Sequence, residues 1–226
     1  DPPLIFDPDK PTAPGTPTTT TPTVDGTPTW SWAGSADAIS GVDEYHIQIR
    51  RFGAADWDVL DTVLDIPDSL TPADPQTWTQ GLSLADGQYE IRVRAMDVAG
   101  NYSDWSGFGS VTVDATPPAV PAIEALDPGY NTSPIAINWN DVTDGANAIT
   151  YVLQYADNEG FSGATSETRS TSDYSFDAAA AGEGEYWFRV KTISTVNVGE
   201  TKESGWSPIV STIYDVTGPA APVLML

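Results

Sequence analysis

Apolar and polar positions alternate with a period of two through most of this chain, and helical periodicity is missing. In the stretch from Gly87 to Ala95, Tyr89, Ile91, Val93 and Ala95 share one face, while Glu90, Arg92 and Arg94 share the other. From Gly184 to Thr192 the inward set is Tyr186, Phe188, Val190 and Thr192, and the outward set is Trp187, Arg189 and Lys191. Turn signals at Asp86-Gly87, Ala99-Gly100-Asn101 and Asp144-Gly145 separate these predicted strands. The run from Ala178 to Ala181 alone favours a helix, and Gly182 cuts it short.

The pattern occurs twice. Trp32 and Trp139 each end a short strand before a polar loop, 107 residues apart. Tyr45-His46-Ile47-Gln48-Ile49 matches Tyr151-Val152-Leu153-Gln154-Tyr155 at an offset of 106. The Gly87 and Gly184 stretches match at 97, and Ser103-Asp104-Trp105-Ser106 matches Ser204-Gly205-Trp206-Ser207 at 101. The offset changes between matched blocks and not within them, so strands are kept while loops change length. A proline-bearing segment beginning at Asp7, Asp114 and Asp215 precedes each copy and follows the second; proline stiffens such segments. These signals divide the chain into an incoming linker (1–10), a first module (11–114), a linker (115–118), a second module (119–215) and an outgoing linker or third-module start (216–226). The Thr/Pro-rich stretch from Pro11 to Thr29 aligns with an opening strand, not a glycosylated stalk. The second copy departs from the first between Ser194 and Gly205, where a longer loop is expected.

With these motifs in order, the chain resembles the fibronectin type III family in the form found in large bacterial surface proteins and secreted polysaccharide-degrading enzymes. The resemblance rests on the strand B tryptophans Trp32 and Trp139, the strand C tyrosines Tyr45 and Tyr151, the Gly-x-Tyr-x-apolar-Arg-Val motif, the Asp97–Ser103 loop and the Thr-Pro-Pro linker. It implies an all-β chain of two consecutive seven-stranded immunoglobulin-like (fibronectin type III-like) β-sandwiches joined by a short proline-rich linker. It also implies that the hydroxyls of Tyr89 and Tyr186 bond back to backbone.

Composition narrows the function. There are 32 acidic residues against 9 basic and one His, a formal net charge of −23. Such a surface repels phosphate backbones and anionic lipid, so neither nucleic acid nor membrane insertion is expected, and self-repulsion favours a monomer. Cysteine is absent, which removes disulfides and thiol chemistry. No apolar run approaches the ~20 residues of a membrane span. The chain opens on Asp1-Pro2-Pro3-Leu4, so any signal peptide is expected outside it. The expected setting is extracellular, secreted or at a cell surface, with neighbouring domains of the same chain as partners.

Catalysis is not indicated. His46 is the single histidine, outward by parity, and no nucleophile, phosphate loop or zinc-ligand spacing accompanies it. Four cations, Arg92, Arg94, Arg189 and Lys191, lie outward on strand F, with Trp105 and Trp206 opening the next strand. Stacking of each Trp on its cations is expected, as a structural staple resembling half of the cytokine-receptor Trp-Ser-x-Trp-Ser box. Asp86 and Asp114 on one module and Asp141 and Asp144 on the next are candidate oxygen ligands for calcium at the joint. By the same topology Asp7 and Asp9 approach Asp37, Asp97, Asn101 and Asp104. Trp57, Trp78, Trp187 and Tyr102 are candidate sugar-stacking rings. The leading reading is a spacer in an adhesin-like protein. The alternative is a carbohydrate-binding accessory module, with polysaccharide or a cell-surface protein as partner.

Overall fold

A computed structural model, which describes residues 6–57, 60–69 and 75–219, turns the alternating stretches into strands. The chain divides into two units, Asp1–Thr116 and Pro117–Leu226. The first contains β1 (Thr29–Trp32), β2 (Val42–Arg51), β3 (Leu60–Ser69), β4 (Gln76–Thr79), β5 (Gly87–Asp97) and β6 (Gly109–Val113). One sheet pairs β1 with β4; the other runs β3-β2-β5-β6. Period-two burial aims Ile47 and Ile49 of β2, Ile91 and Val93 of β5 and Val111 of β6 into one core with Trp30 and Trp32 of β1.

The first proline-rich segment follows β1 through isolated bonds, not a regular ladder. Thr12 N–H donates to Ala36 O at 3.0 Å, Gly15 N–H to Ala33 O at 2.9 Å, and Thr18 exchanges bonds with Ser31. Pro11, Pro14, Pro17 and Pro22 lack the donors that a continuous strand needs. The segment then crosses to the other sheet, where Thr23 N–H donates to Thr112 O at 2.9 Å and Thr23 bridges Val113 in parallel. Gly109 is required by this crossing, since a Cβ there would lie 2.2 Å from Pro17 O.

The second unit contains β7 (Gly129–Tyr130), β8 (Ile135–Asn138), β9 (Ala148–Ala156), β10 (Thr165–Arg169), β11 (Asp173–Phe176), α1 (Ala178–Ala181), β12 (Gly184–Asn197), β13 (Glu200–Glu203) and β14 (Val210–Tyr214). One sheet is β11-β8; the other runs β10-β9-β12-β14-β7, with β13 also on β12. The described strands thus number six in the first unit and eight in the second. Ser194 to Gly205 is not a plain loop. β12 continues to Asn197, turns at Gly199 (φ +82°) and returns as β13. Alternation persists through Ile193 and Thr195, and glycine supplies the left-handed turn residue. Among the described residues the fold is all-β apart from one helical turn, and each unit encloses one apolar core between two sheets, an immunoglobulin-like sandwich architecture.

Candidate functional site

Each unit is pinned internally by two tyrosines. Trp32 is 2 % exposed and Trp139 3 %; Tyr45 meets Trp32 edge-on at 5.7 Å, and Tyr151 meets Trp139 at 5.5 Å. The Tyr45 hydroxyl accepts the N–H of Ser35 at 2.6 Å, and that of Tyr151 accepts Val142 N–H at 2.8 Å, in each case three residues past the tryptophan. Tyr89 donates its O–H to Ala85 O and Tyr186 to Gly182 O, both at 2.9 Å and both four residues back. Burial pushes the Tyr186 hydroxyl above its usual pKa, with the nearby Asp157 charge adding to it.

The outer face of β5 carries a ladder of alternating cations and rings. The Arg50 guanidinium lies 4.2 Å from the Trp57 ring centroid, and Arg92 lies 4.2 Å from both Trp57 and Trp105. Arg94 is 4.7 Å from Trp105 and 4.0 Å from Tyr102, which His46 meets edge-on at 5.0 Å. His46 also bonds Glu44 at 2.7 Å. In the second unit Arg189 lies 4.1 Å from Phe161 and 4.4 Å from Trp206, and Lys191 lies 5.2 Å from Trp206 while pairing with Glu203. The two central arginines are oriented identically. Arg92 donates twice to Gln48 Oε1 (3.0 and 2.6 Å), and Arg189 twice to Gln154 Oε1 (3.0 and 2.7 Å).

Beside each ladder runs a pair of serines whose role the sequence reading missed. Ser106 N–H donates to Val93 O, and its Oγ accepts Val93 N–H at 3.0 Å. Ser103 does the same with Ala95, Ser204 with Thr192 and Ser207 with Val190. A serine hydroxyl thus stands in for a strand carbonyl twice in each unit, satisfying buried donors where the neighbouring chain is not a regular strand. The identical Ser-x-Trp-Ser spacing in both copies was the available signal.

At one end of the first unit three carboxylates converge. Asp7, Asp37 and Asp97 each present an oxygen within 4.8 Å of the others, and they are only 8 %, 5 % and 0 % exposed. Asp7 arrives from the incoming segment, Asp37 sits in the loop after β1, and Asp97 ends β5. Asp7 accepts Asp9 N–H and Ser40 N–H. Asp97 accepts the backbone and side-chain N–H groups of Asn101, whose amide also reaches the Asp7 and Asp9 carbonyls at 2.9 Å. Asp37 Oδ1 alone accepts Ile39, Ser40 and Gly41 N–H. Burial pushes the Asp37 carboxyl up, but those three N–H groups, with a smaller share from the Asp7 side chain, outweigh it and hold its pKa below the usual value. Asp104 instead pairs with Lys10 at 2.9 Å.

The second unit treats the corresponding place differently. Asp144 follows Trp139 by five residues, as Asp37 follows Trp32, and Ser194 stands on β12 where β5 has Asp97. Lys202 of β13 brings its Nζ to 2.8 Å from Asp144 Oδ2, with its side chain only 3 % exposed. Burial pushes the Asp144 carboxyl up, but Lys202, Ser194 and Asn147 prevail and hold its pKa low. Of the other acidic candidates, Asp86 accepts Ala115 and Thr116 N–H at 2.7 and 3.3 Å, and the carbonyl of Asp141 accepts the Asn140 amide. Asp114 donates its N–H to Thr23 O. Of the candidate sugar-stacking rings, Trp57 carries two guanidiniums, Trp78 packs against the core, Trp187 is half-buried and Tyr102 carries Arg94.

No family model and no curated protein matches the sequence. Among solved structures, the chain is similar to the chicken CNTN1 FN1-FN3 domains at 16 % identity and a TM-score of 0.36, covering 90 % of this chain and 67 % of that one. Among the described residues no helix is long and apolar enough to cross a membrane.

Proposed function

We propose that this chain is a non-catalytic, extracellular structural spacer, a pair of sandwich modules within a larger surface or secreted protein of adhesin type. One observation carries the reading: the same outer-face staple, an arginine fixed on a glutamine and stacked on a tryptophan beside two serines, is built in both units although the surrounding loops differ. Cation–ring contacts and buried serine bonds add rigidity to a sheet face, which suits a module that must hold its shape under load. The acidic surface supports life in an aqueous, extracellular setting, and neighbouring domains of the parent chain are the partners it would space.

Affinity electrophoresis in polysaccharide gels tests this against the carbohydrate-binding alternative. The spacer reading expects migration unchanged by polysaccharide. Retardation that Trp187→Ala abolishes would replace it with a glycan-binding accessory module.

A further inference from the structure

We propose that Asp7, Asp37 and Asp97 form a binding site for a hard divalent cation of calcium's size, which clamps the incoming segment to the end of the first sandwich. This goes beyond the spacer reading and needs only the first unit.

The argument begins with charge. Three carboxylates, each more than nine-tenths buried, lie within 4.8 Å of one another. Among the described residues, none of the ion pairs reaches any of them. The unit's five Lys and Arg side chains are engaged elsewhere. Lys10 is on Asp104, Arg50 on Glu90, Arg51 over Tyr89, Arg92 on Gln48, and Arg94 over Tyr102 and Trp105. Burying like charges together without a counter-charge is strongly unfavourable.

A second observation points to what belongs there. Asp37 is 5 % exposed, and the N–H groups of Ile39, Ser40 and Gly41, with the Ser40 hydroxyl, all reach Oδ1. Among the described residues no N–H or O–H donor is directed at its Oδ2, its side chain lies against that of Asp7, and one of its oxygens converges on Asp7 and Asp97.

The repeat supplies a third. At the matching place in the second unit, Asp144 faces not two more carboxylates but the ammonium of Lys202 at 2.8 Å, and Asp97 is replaced by Ser194. One copy therefore carries its cation on a side chain and a reduced anionic set. The other carries a fuller anionic set and no side-chain cation. Oxygens within 4.8 Å of one another can share one ion at metal–oxygen distances of about 2.4 Å, within calcium's range, and three carboxylates suit calcium better than magnesium, which keeps several waters and takes one or two carboxylates. Backbone carbonyls and water would complete the 6–8 ligands calcium takes.

The test is calorimetric titration of the whole chelator-treated chain with calcium chloride, repeated with magnesium chloride, alongside thermal melting. Calcium should bind and raise the melting temperature of one unit by roughly 10 °C at a hundredfold excess over the dissociation constant; magnesium should bind at least tenfold more weakly. Asp97→Asn should weaken calcium binding at least tenfold. Asp7→Asn, which lies outside every strand and leaves the sandwich intact, should do the same, while Asp144→Asn leaves it unchanged. Absence of heat and of a melting shift at millimolar calcium would overturn the proposal. So would a calcium response that survives both Asp7→Asn and Asp97→Asn, or an equal response to magnesium.

Discussion

Lys202 Nζ lies 2.8 Å from Asp144 Oδ2 in the second unit, and the lysine is almost wholly enclosed. The pair joins the hairpin strand β13 to the loop after β8, 58 residues apart in sequence, so it ties a hairpin particular to this copy onto the frame that both copies share. Removing one partner leaves the other charge uncompensated. Lys202→Met should lower the stability of the second unit by roughly 3 kcal/mol, the low end for a broken buried pair because Asp144 is 21 % exposed. Denaturant unfolding of the whole chain checks this, with the first unit's transition unmoved.

The same pair sets an acid limit. Asp144 has its folded pKa held below the ordinary 3.8. The stabilisation this supplies is fully present above the unfolded carboxylate value and is lost as pH falls through the lowered folded value. The melting temperatures of wild type and Asp144→Asn should therefore differ by a constant amount above about pH 5 and converge as pH falls below about 4. A gap that widened toward acid would contradict the assignment.

The serine staples should matter equally in both copies. Ser106→Ala removes the Oγ acceptor of Val93 N–H, and Ser207→Ala that of Val190 N–H. Each should destabilise its own unit by about 1–3 kcal/mol, the penalty for an unsatisfied buried donor. Ser40→Ala is a poor control because that half-buried serine borders the carboxylate cluster; Ser166, bonded to Gln154 on an exposed edge, is a better one and should change little.

Along the ladder, Arg94 touches Tyr102 and Trp105, and Arg92 touches Trp105 and Trp57, so the two cations share one ring. Arg94→Ala should cost about 1–2 kcal/mol, two cation–ring contacts at a half-covered face. A double-mutant cycle with Tyr102→Ala should return a coupling of about 0.5–1 kcal/mol. Arg92→Lys should be worse tolerated than its charge suggests, because an ammonium cannot donate twice to Gln48 Oε1 while stacking on Trp105.

Much of this was legible in the chain because period-two alternation and an internal repeat are local signals. The matched blocks from Gly87 and Gly184 became β5 and β12, and the repeat places Trp30 on Ile137, both 0 % exposed. Trp30 was nevertheless overlooked beside Trp32, although the two share a face by parity. The serine staples were hidden because serine reads first as a turn former. Lys202 was not legible at all. Its hairpin has no counterpart in the first copy to align with, and a contact across 58 residues leaves no periodic trace in a single sequence. The convergence of Asp7 with Asp37 and Asp97 followed from topology, whereas their burial depends on how Asn101 and the loop amides close around them.

The central claim is that each unit is separately stapled to hold its shape, and single-molecule pulling on the whole chain tests it most directly. The account predicts two distinct unfolding events of similar contour length, with Ser106→Ala lowering the force of one and Ser207→Ala the force of the other. A featureless extension at low force, or two events whose forces neither variant changes, would contradict it.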